Sequence, residues 1–267
     1  MPSSNCGCQL PGAVSNNPTT SPSIVTGSSS RPSTTTPSFP SISPSTNSNV
    51  IVYRGLYAWS WSGKPIYPVN TNLVVAFSGW ANPYNALSDS GAIYSNLVGL
   101  KFISIGGGNT NGRFTSQILI QLNSMIVAGS LSAYDGICYD IEEGDSGLAT
   151  AFSTSFAVAK ANSLKVLVTV SHSAPYGIND KVQLMNALFA DPNIDILSPQ
   201  LYSSGTESSN DYTYSGVPWS SYATTSAAIV PSIVSASMYA DAQAFFLDSS
   251  RSGTSFAIQG FIQWKQS

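Results

Sequence analysis

The chain has 267 residues, 42% of them hydrophobic and only 9% charged, with a formal net charge of −3; this has room for the core of one large domain or two modest ones and excludes disorder throughout. Its 10 Lys and Arg residues do not cluster, so they give no basic stripe for a phosphate backbone, and nucleic acid is not an expected partner. No apolar run approaches the roughly 20 residues needed to cross a bilayer, so no membrane span is expected either.

Residues 1–49 differ in kind from the rest. Ser and Thr fill 21 of these 49 positions, Pro fills another 8, and Arg31 is the one charged side chain. Such a segment cannot bury enough apolar surface to offset its ordering entropy, so it reads as a disordered or extended tether, a Ser/Thr/Pro stalk or an assembly arm. The opening "MPSSNCGCQLPGAVSNN" lacks the basic and apolar regions of a signal peptide. Cys6 and Cys8 are too close to bridge each other and Cys138 lies far away, so no internal disulfide framework is implied. The "CGC" end could pair between molecules or remain as two free thiols.

From residue 50 to 267 a second pattern takes over, and we read it as one domain. Short β-branched or apolar runs recur in order: "NVIVYRGLYA", "NLVVAFSG", "KFISIGGG", "YDGICYDIE", "LKVLVTVS", "IDILSPQLY", "AAIVPSIVSAS" and "FAIQGFIQW". Between them lie stretches with apolar residues three and four apart, among them "TSQILIQLNSMIVAG", "GLATAFSTSFAVAKAN" and "DKVQLMNALFAD", which predict helices. Strand alternating with helix predicts parallel βα units, and eight of them predict an α/β fold of the compact (β/α)8 barrel type. A doubly wound open sheet is the alternative, but no phosphate-binding glycine turn follows the first run.

The fourth run holds the densest chemistry. Asp135, Asp140, Glu142, Glu143 and Asp145 put five of the chain's 13 acidic residues into eleven positions. Barrel enzymes place their chemistry at the C-terminal ends of strands, and these acids crowd toward that end. In an extended strand Cys138, Asp140 and Glu142 share one face while Tyr139, Ile141 and Glu143 share the other. Two carboxylates on one buried face repel when both are ionised, so one pKa should rise and leave a proton donor at neutral pH. A solvated strand end or a cation site would explain the same spacing.

The motif "DGICYDIE" resembles the fourth-strand signature D-G-x-D-x-D-x-E of family 18 glycoside hydrolases. "SIGGG" on the third run is similar to that family's Ser-x-Gly-Gly, "VVAF" on the second to its Ala-Phe strand end, and "PQLY" on the sixth to its Gln-x-Tyr. The wording is nearest to compact class III chitinases of plant and fungal type. The resemblance implies hydrolysis of β-1,4-linked N-acetylglucosamine glycans, chitin or chito-oligosaccharides, with no metal or other cofactor. It implies a substrate-assisted, retaining reaction in which Glu142 is the general acid, Asp140 bonds the acetamido N–H and Tyr202 orients the acetamido carbonyl. Trp264 would floor the central sugar site, with Phe77 and Gln200 as walls. Tyr57 and Trp80 are expected on the glycan cleft, together with Trp59, Trp61, Tyr84 and Tyr176, because sugar C–H faces pack on aromatic rings. Gly106 and Gly107 would let the third strand approach the pocket, Asp135 would fix strand and loop, and the lone His172 is a weak candidate base.

Two departures from the family stand out. Cys138 occupies the place of a motif Asp, so Asp140 should ionise more readily and Glu142 should be the group whose pKa rises, with activity retained but reduced. The chain also stops three residues after Trp264, which predicts a barrel edge without its last helix and an apolar patch suited to self-association. A non-hydrolytic glycan-binding protein, or a structural surface or particle protein on the same barrel, is the competing reading. Either way the expected location is extracellular, at a cell surface or on a virion.

Overall fold

The computed structural model describes residues 51–266. The chain divides into two units, Met1–Asn47 and Ser48–Ser267. The tether and its "CGC" arm therefore lie outside the described residues.

The second unit alternates strand and helix: β1 (Tyr53–Trp59), β2 (Leu73–Phe77), α1 (Pro83–Ile93), β3 (Leu100–Gly106), α2 (Ser116–Val127), β4 (Gly136–Ile141), α3 (Ala149–Ala161), β5 (Lys165–Ser171), α4 (Lys181–Ala190), β6 (Ile196–Gln200), β7 (Ala228–Ile229), β8 (Ser232–Ile233), α5 (Tyr239–Leu247), α6 (Ser249–Ser252) and β9 (Gly260–Gln263). Every strand pairing is parallel, and the β1–β9 and β5–β6 ladders close the sheet on itself. β7 and β8 are two short pieces of one barrel strand, both paired with β6 and separated by Val230 and Pro231. Proline has no N–H for a ladder, which accounts for the break in the run "AAIVPSIV". Eight strand positions result, and the fold is a (β/α)8 barrel.

The strands are apolar along their whole length because both faces are covered. Val74, Ile103, Ile105, Ile137, Tyr139, Val166 and Val168 turn outward into a cluster with Leu119, Leu122 and Met125 of α2 and with Phe152 and Phe156 of α3. Leu73, Val75, Phe102, Cys138, Leu167, Ile196 and Ile262 turn inward and fill the barrel. Above that apolar plug lie Ser104, Thr169, Ser198 and Ser232, all fully buried. Two of these hydroxyls are paired, Ser198 Oγ lying 2.8 Å from Ser232 Oγ, which is 2.9 Å from the Tyr57 hydroxyl, while Ser104 Oγ and Thr169 Oγ1 have no hydrogen-bond partner among the described residues. Buried polar groups held this way give the barrel floor a fixed polar layer directly beneath its mouth.

Helices α2, α3 and α4 lie where the three- and four-residue spacing predicts them. α1 and α5 were harder to see. α1 owes its start to Asn82, whose side chain accepts from the N–H groups of Tyr84 and Asn85, and to Pro83 in the first turn. It buries small residues, Ala86 and Ser90, in place of an apolar stripe. On the last strand Phe261 is 6% exposed and packs on the ring of Tyr239 in α5, 5.3 Å away, while Ile51 and Val52, just before the neighbouring β1, are exposed.

Candidate active site

β4 delivers its residues to two faces as alternation predicts. Asp135 sits at the foot of the strand, where its carboxylate accepts from Lys101 N–H at 2.8 Å and its own N–H bonds Lys101 carbonyl. It ties β4 to β3 and lies apart from the cavity at Glu142. Asp145 at the far end pairs with Arg113 at 2.8 Å on the surface. The remaining acids stay at the barrel mouth.

At the C-terminal end of β3, Gly106 has a φ of 103°, and a Cβ there would lie 2.3 Å from Asp140 carbonyl oxygen. Only glycine lets β3 and β4 run this close at their catalytic ends. Asp140 is 2% exposed. Gln200, at the end of β6, reaches across and donates from Nε2 to Asp140 Oδ1 at 3.3 Å and to Glu142 Oε1 at 3.2 Å. Gly108 lies against the Glu142 carboxyl, where a Cβ would fall 2.9 Å from Oε2.

Glu142 opens into a cavity of about 340 Å³ lined by Trp61, Phe77, Tyr176, Gln200, Tyr202 and Trp264. Trp264 is held edge-on by Phe77 (5.1 Å between centroids) and Tyr57 (5.5 Å), and Tyr202 stacks on it at 5.9 Å. Gly205 has a φ of 78° and lies against the indole, where a Cβ would fall 2.2 Å from Nε1. A flat aromatic floor with a buried carboxyl pair at its centre is suited to a sugar ring whose glycosidic oxygen needs a proton.

Burial governs the electrostatics. It pushes the Asp140 carboxyl well above the ordinary carboxylate range, and the neighbouring Glu142 charge and hydrogen bond add to that shift. Burial also raises Glu142, but bonds from Gln200, Asp140 and the Gly108 N–H work against it. Both carboxyls are therefore held above their ordinary range, and the pair takes up a proton between them. This corrects the expectation that Cys138 frees Asp140 to ionise: removing a like charge from position 138 does not offset full desolvation with no cation nearby. The Cys138 thiol, fully buried beneath Asp140, is itself pushed up by burial and by Asp140, so it is neutral. Burial raises the Tyr202 hydroxyl too, which keeps it a donor.

The expected site residues separate into layers. Glu142, Tyr202, Gln200, Phe77 and Trp264 converge on the cavity, with Asp140 just below. Tyr57 lies beneath Trp264, its hydroxyl turned to Ser232. Gly107, with a φ of 142°, backs onto Phe77 and Gly79, while its neighbour Gly108 lines the cavity. Trp80 does not line it: its indole N–H donates to Asp89 of α1 at 2.8 Å and its ring packs against the outer core. Tyr84 is exposed on α1. Asn109, Ser203 and Ser204 line the cavity without having been singled out from sequence. All three directly follow motif strands, in "SIGGGN" and "QLYSS", and strand-end position was the signal available. Among the described residues no cluster of three or more His, Cys, Asp or Glu side chains is arranged to hold a metal ion.

No family model matches the sequence and no curated protein matches it. Solved structures do. A putative chitinase A from Streptomyces coelicolor superposes with a TM-score of 0.51 at 14% identity, over 80% of this chain and 92% of that one. A class V chitinase from Pseudomonas fluorescens Pf-5 gives 0.45 at 13% identity, over 67% and 68%. A chitinase from Trichuris suis gives 0.43 at 15% identity, over 68% and 65%. Residues 51–266 thus share a closed (β/α)8 barrel fold with the first of these structures.

Proposed function

We propose that the protein is a glycoside hydrolase of family 18 type that cleaves β-1,4-linked N-acetylglucosamine glycans by a substrate-assisted, retaining reaction. The observation that carries this reading is the Asp140–Glu142 pair, sharing one proton under Gln200 at the centre of an aromatic cleft. When a sugar occupies the floor on Trp264, the shared proton passes to Glu142, which delivers it to the glycosidic oxygen as the bond to the anomeric carbon breaks. The substrate's acetamido oxygen closes onto that carbon and forms an oxazolinium ion. Asp140, now ionised, accepts a bond from the acetamido N–H and offsets the positive charge, and the Tyr202 hydroxyl holds the carbonyl. Water then opens the ring with Glu142 as the base. The adjacency of the two carboxyl groups supports this route, since a water-mediated inversion needs them well apart.

The test is a pair of fluorogenic substrates that differ only at C2. The chitobioside should be hydrolysed and the cellobioside, which has no acetamido group, should be inert. Equal rates on both would remove the substrate-assisted step, and no turnover of either would remove the hydrolase.

Cys138 bears on the rate. Ser104 lies across the ladder from it and beside its thiol, so Asp140 has no inner carboxylate with which to exchange its proton. An Asp at this place gives Asp140 a second partner when it turns from Glu142. The Cys138→Asp variant is expected to hydrolyse chito-oligosaccharides about 10- to 100-fold faster, the scale of a modest acid–base contribution. An unchanged rate would show that the thiol costs the reaction nothing.

A further inference from the structure

His172 is the chain's single histidine, and it follows immediately after β5 with a φ of 48°. That left-handed conformation is uncommon for a residue with a side chain, and held backbones of this kind gather at ligand sites. Its Nε2 lies 3.0 Å from Asp211 Oδ2, and the Ser203 hydroxyl is 3.3 Å from both groups. Partial burial pushes against ionisation of Asp211, but the Thr213 N–H and the His172 ring hold its carboxyl down at about 2. An ionised carboxylate only accepts, so Nε2 carries the hydrogen, and in the imidazole tautomer so fixed Nδ1 is the acceptor. Among the described residues Nδ1 has no hydrogen-bond partner.

The ring borders a second cavity of about 260 Å³ that shares Glu142, Tyr176, Gln200, Tyr202 and Ser203 with the first and adds Ser171 and His172. That volume is several times the ~30 Å³ occupied by one water, so it accepts a group of sugar size. It contains none of the aromatic floor: Trp61, Phe77 and Trp264 belong to the first cavity alone. The two cavities meet at Glu142: the first extends to Trp61, Phe77 and Trp264, from the β1, β2 and β9 side, and the second to Ser171 and His172 at the end of β5. A glycosidic oxygen protonated by Glu142 would then have one sugar on the Trp264 floor and the other beside His172.

Building on the hydrolase reading above, we propose that the β5-side cavity receives the leaving sugar and that His172 is its specificity-determining residue, accepting a hydrogen bond through Nδ1 from a hydroxyl of that sugar. Asp211 is the positioning residue that fixes the tautomer. The site thereby favours a carbohydrate leaving group over a flat aromatic one, which has no hydroxyl to offer.

The experiment compares chitotetraose with 4-methylumbelliferyl chitobioside in the wild type, His172→Gly and His172→Asn. Both replacements accept a left-handed φ, and a thermal melt confirms that each folds. In His172→Gly the ratio of kcat/KM for chitotetraose to kcat/KM for the aryl glycoside should fall about tenfold, the scale of one good hydrogen bond. His172→Asn, which restores an acceptor oxygen, should recover part of it. An unchanged ratio, including an equal loss on both substrates, overturns the proposal. If the wild type cleaves neither substrate, the hydrolase reading falls by itself, and calorimetric titration of chitotetraose decides the subsite: tenfold weaker binding to His172→Gly upholds it and equal binding overturns it.

Discussion

Glu142→Gln will lower turnover of a fluorogenic chitotrioside by roughly 10³-fold, within the 10²–10⁴ that a positioned general acid contributes, while the affinity for the trioside stays within a few-fold. Glutamine matches the carboxyl in size and can still accept from Gln200, so the cleft keeps its shape. It has no proton to give. The pH profile adds a second readout. Burial raises the Glu142 pKa, so the acid form survives to higher pH than an ordinary glutamic acid with its pKa near 4.3. The wild-type rate should therefore fall on an alkaline limb above that value, and the limb should vanish from the residual activity of Glu142→Gln. A variant as fast as the wild type would remove Glu142 as the acid; a variant that lost binding in proportion to rate would make it a binding group only.

The fold was legible because each barrel strand is buried on both faces and separated from the next by a polar loop. Runs such as "LKVLVTVS" then stand out from their surroundings. The seventh strand was legible as a run but not as two pieces, because the effect of Pro231 depends on which neighbour would have received its missing N–H. α1 was hidden for a different reason. Its inner face carries Ala86 and Ser90, small enough for close approach to the sheet, so the helix has no apolar period to detect. Neither Phe261 nor Tyr239 announces in sequence that the two rings will meet and cover the last strand.

At the site, strand alternation was enough to separate Cys138, Asp140 and Glu142 from Tyr139 and Ile141. That both carboxyls of the pair are raised was not readable that way. It depends on how deeply Asp140 is buried and on Gln200 arriving from β6, sixty positions away. Trp80 shows the limit of reading aromatics by position: it follows a barrel strand like Trp61, yet Asp89 claims its indole N–H and turns it from the cleft. The His172–Asp211–Ser203 group escaped for the converse reason. Its members come from two loops and form a unit only when β5 and β6 pair.

Asp140→Asn should separate activity from stability, moving them in opposite directions. Asparagine fills the same space and can still accept from the acetamido N–H, but it cannot pass a proton to Glu142 or carry the negative charge that offsets the oxazolinium. Loss of one such preorganised electrostatic partner costs about 10²–10³ in turnover. Stability follows from the direction of the Asp140 shift. Its folded pKa is raised above the unfolded value near 3.9, so the native state binds the extra proton and its contribution is fully present below that pH. As pH rises from there toward the folded pKa the contribution is lost, because the unfolded chain releases the proton freely while the folded chain must keep it or bury a charge. Asparagine has no proton to lose. Melting temperatures of the variant and wild type should therefore be closest at pH 4, and the variant should gain on the wild type steadily by pH 8. A gap that narrows with rising pH would mean that Asp140 is ionised in the resting fold, and the proton would have to reach Glu142 from solvent. A widening gap beside a slowed reaction would show that the barrel carries a buried, strained carboxyl at its mouth for the sake of the proton it holds.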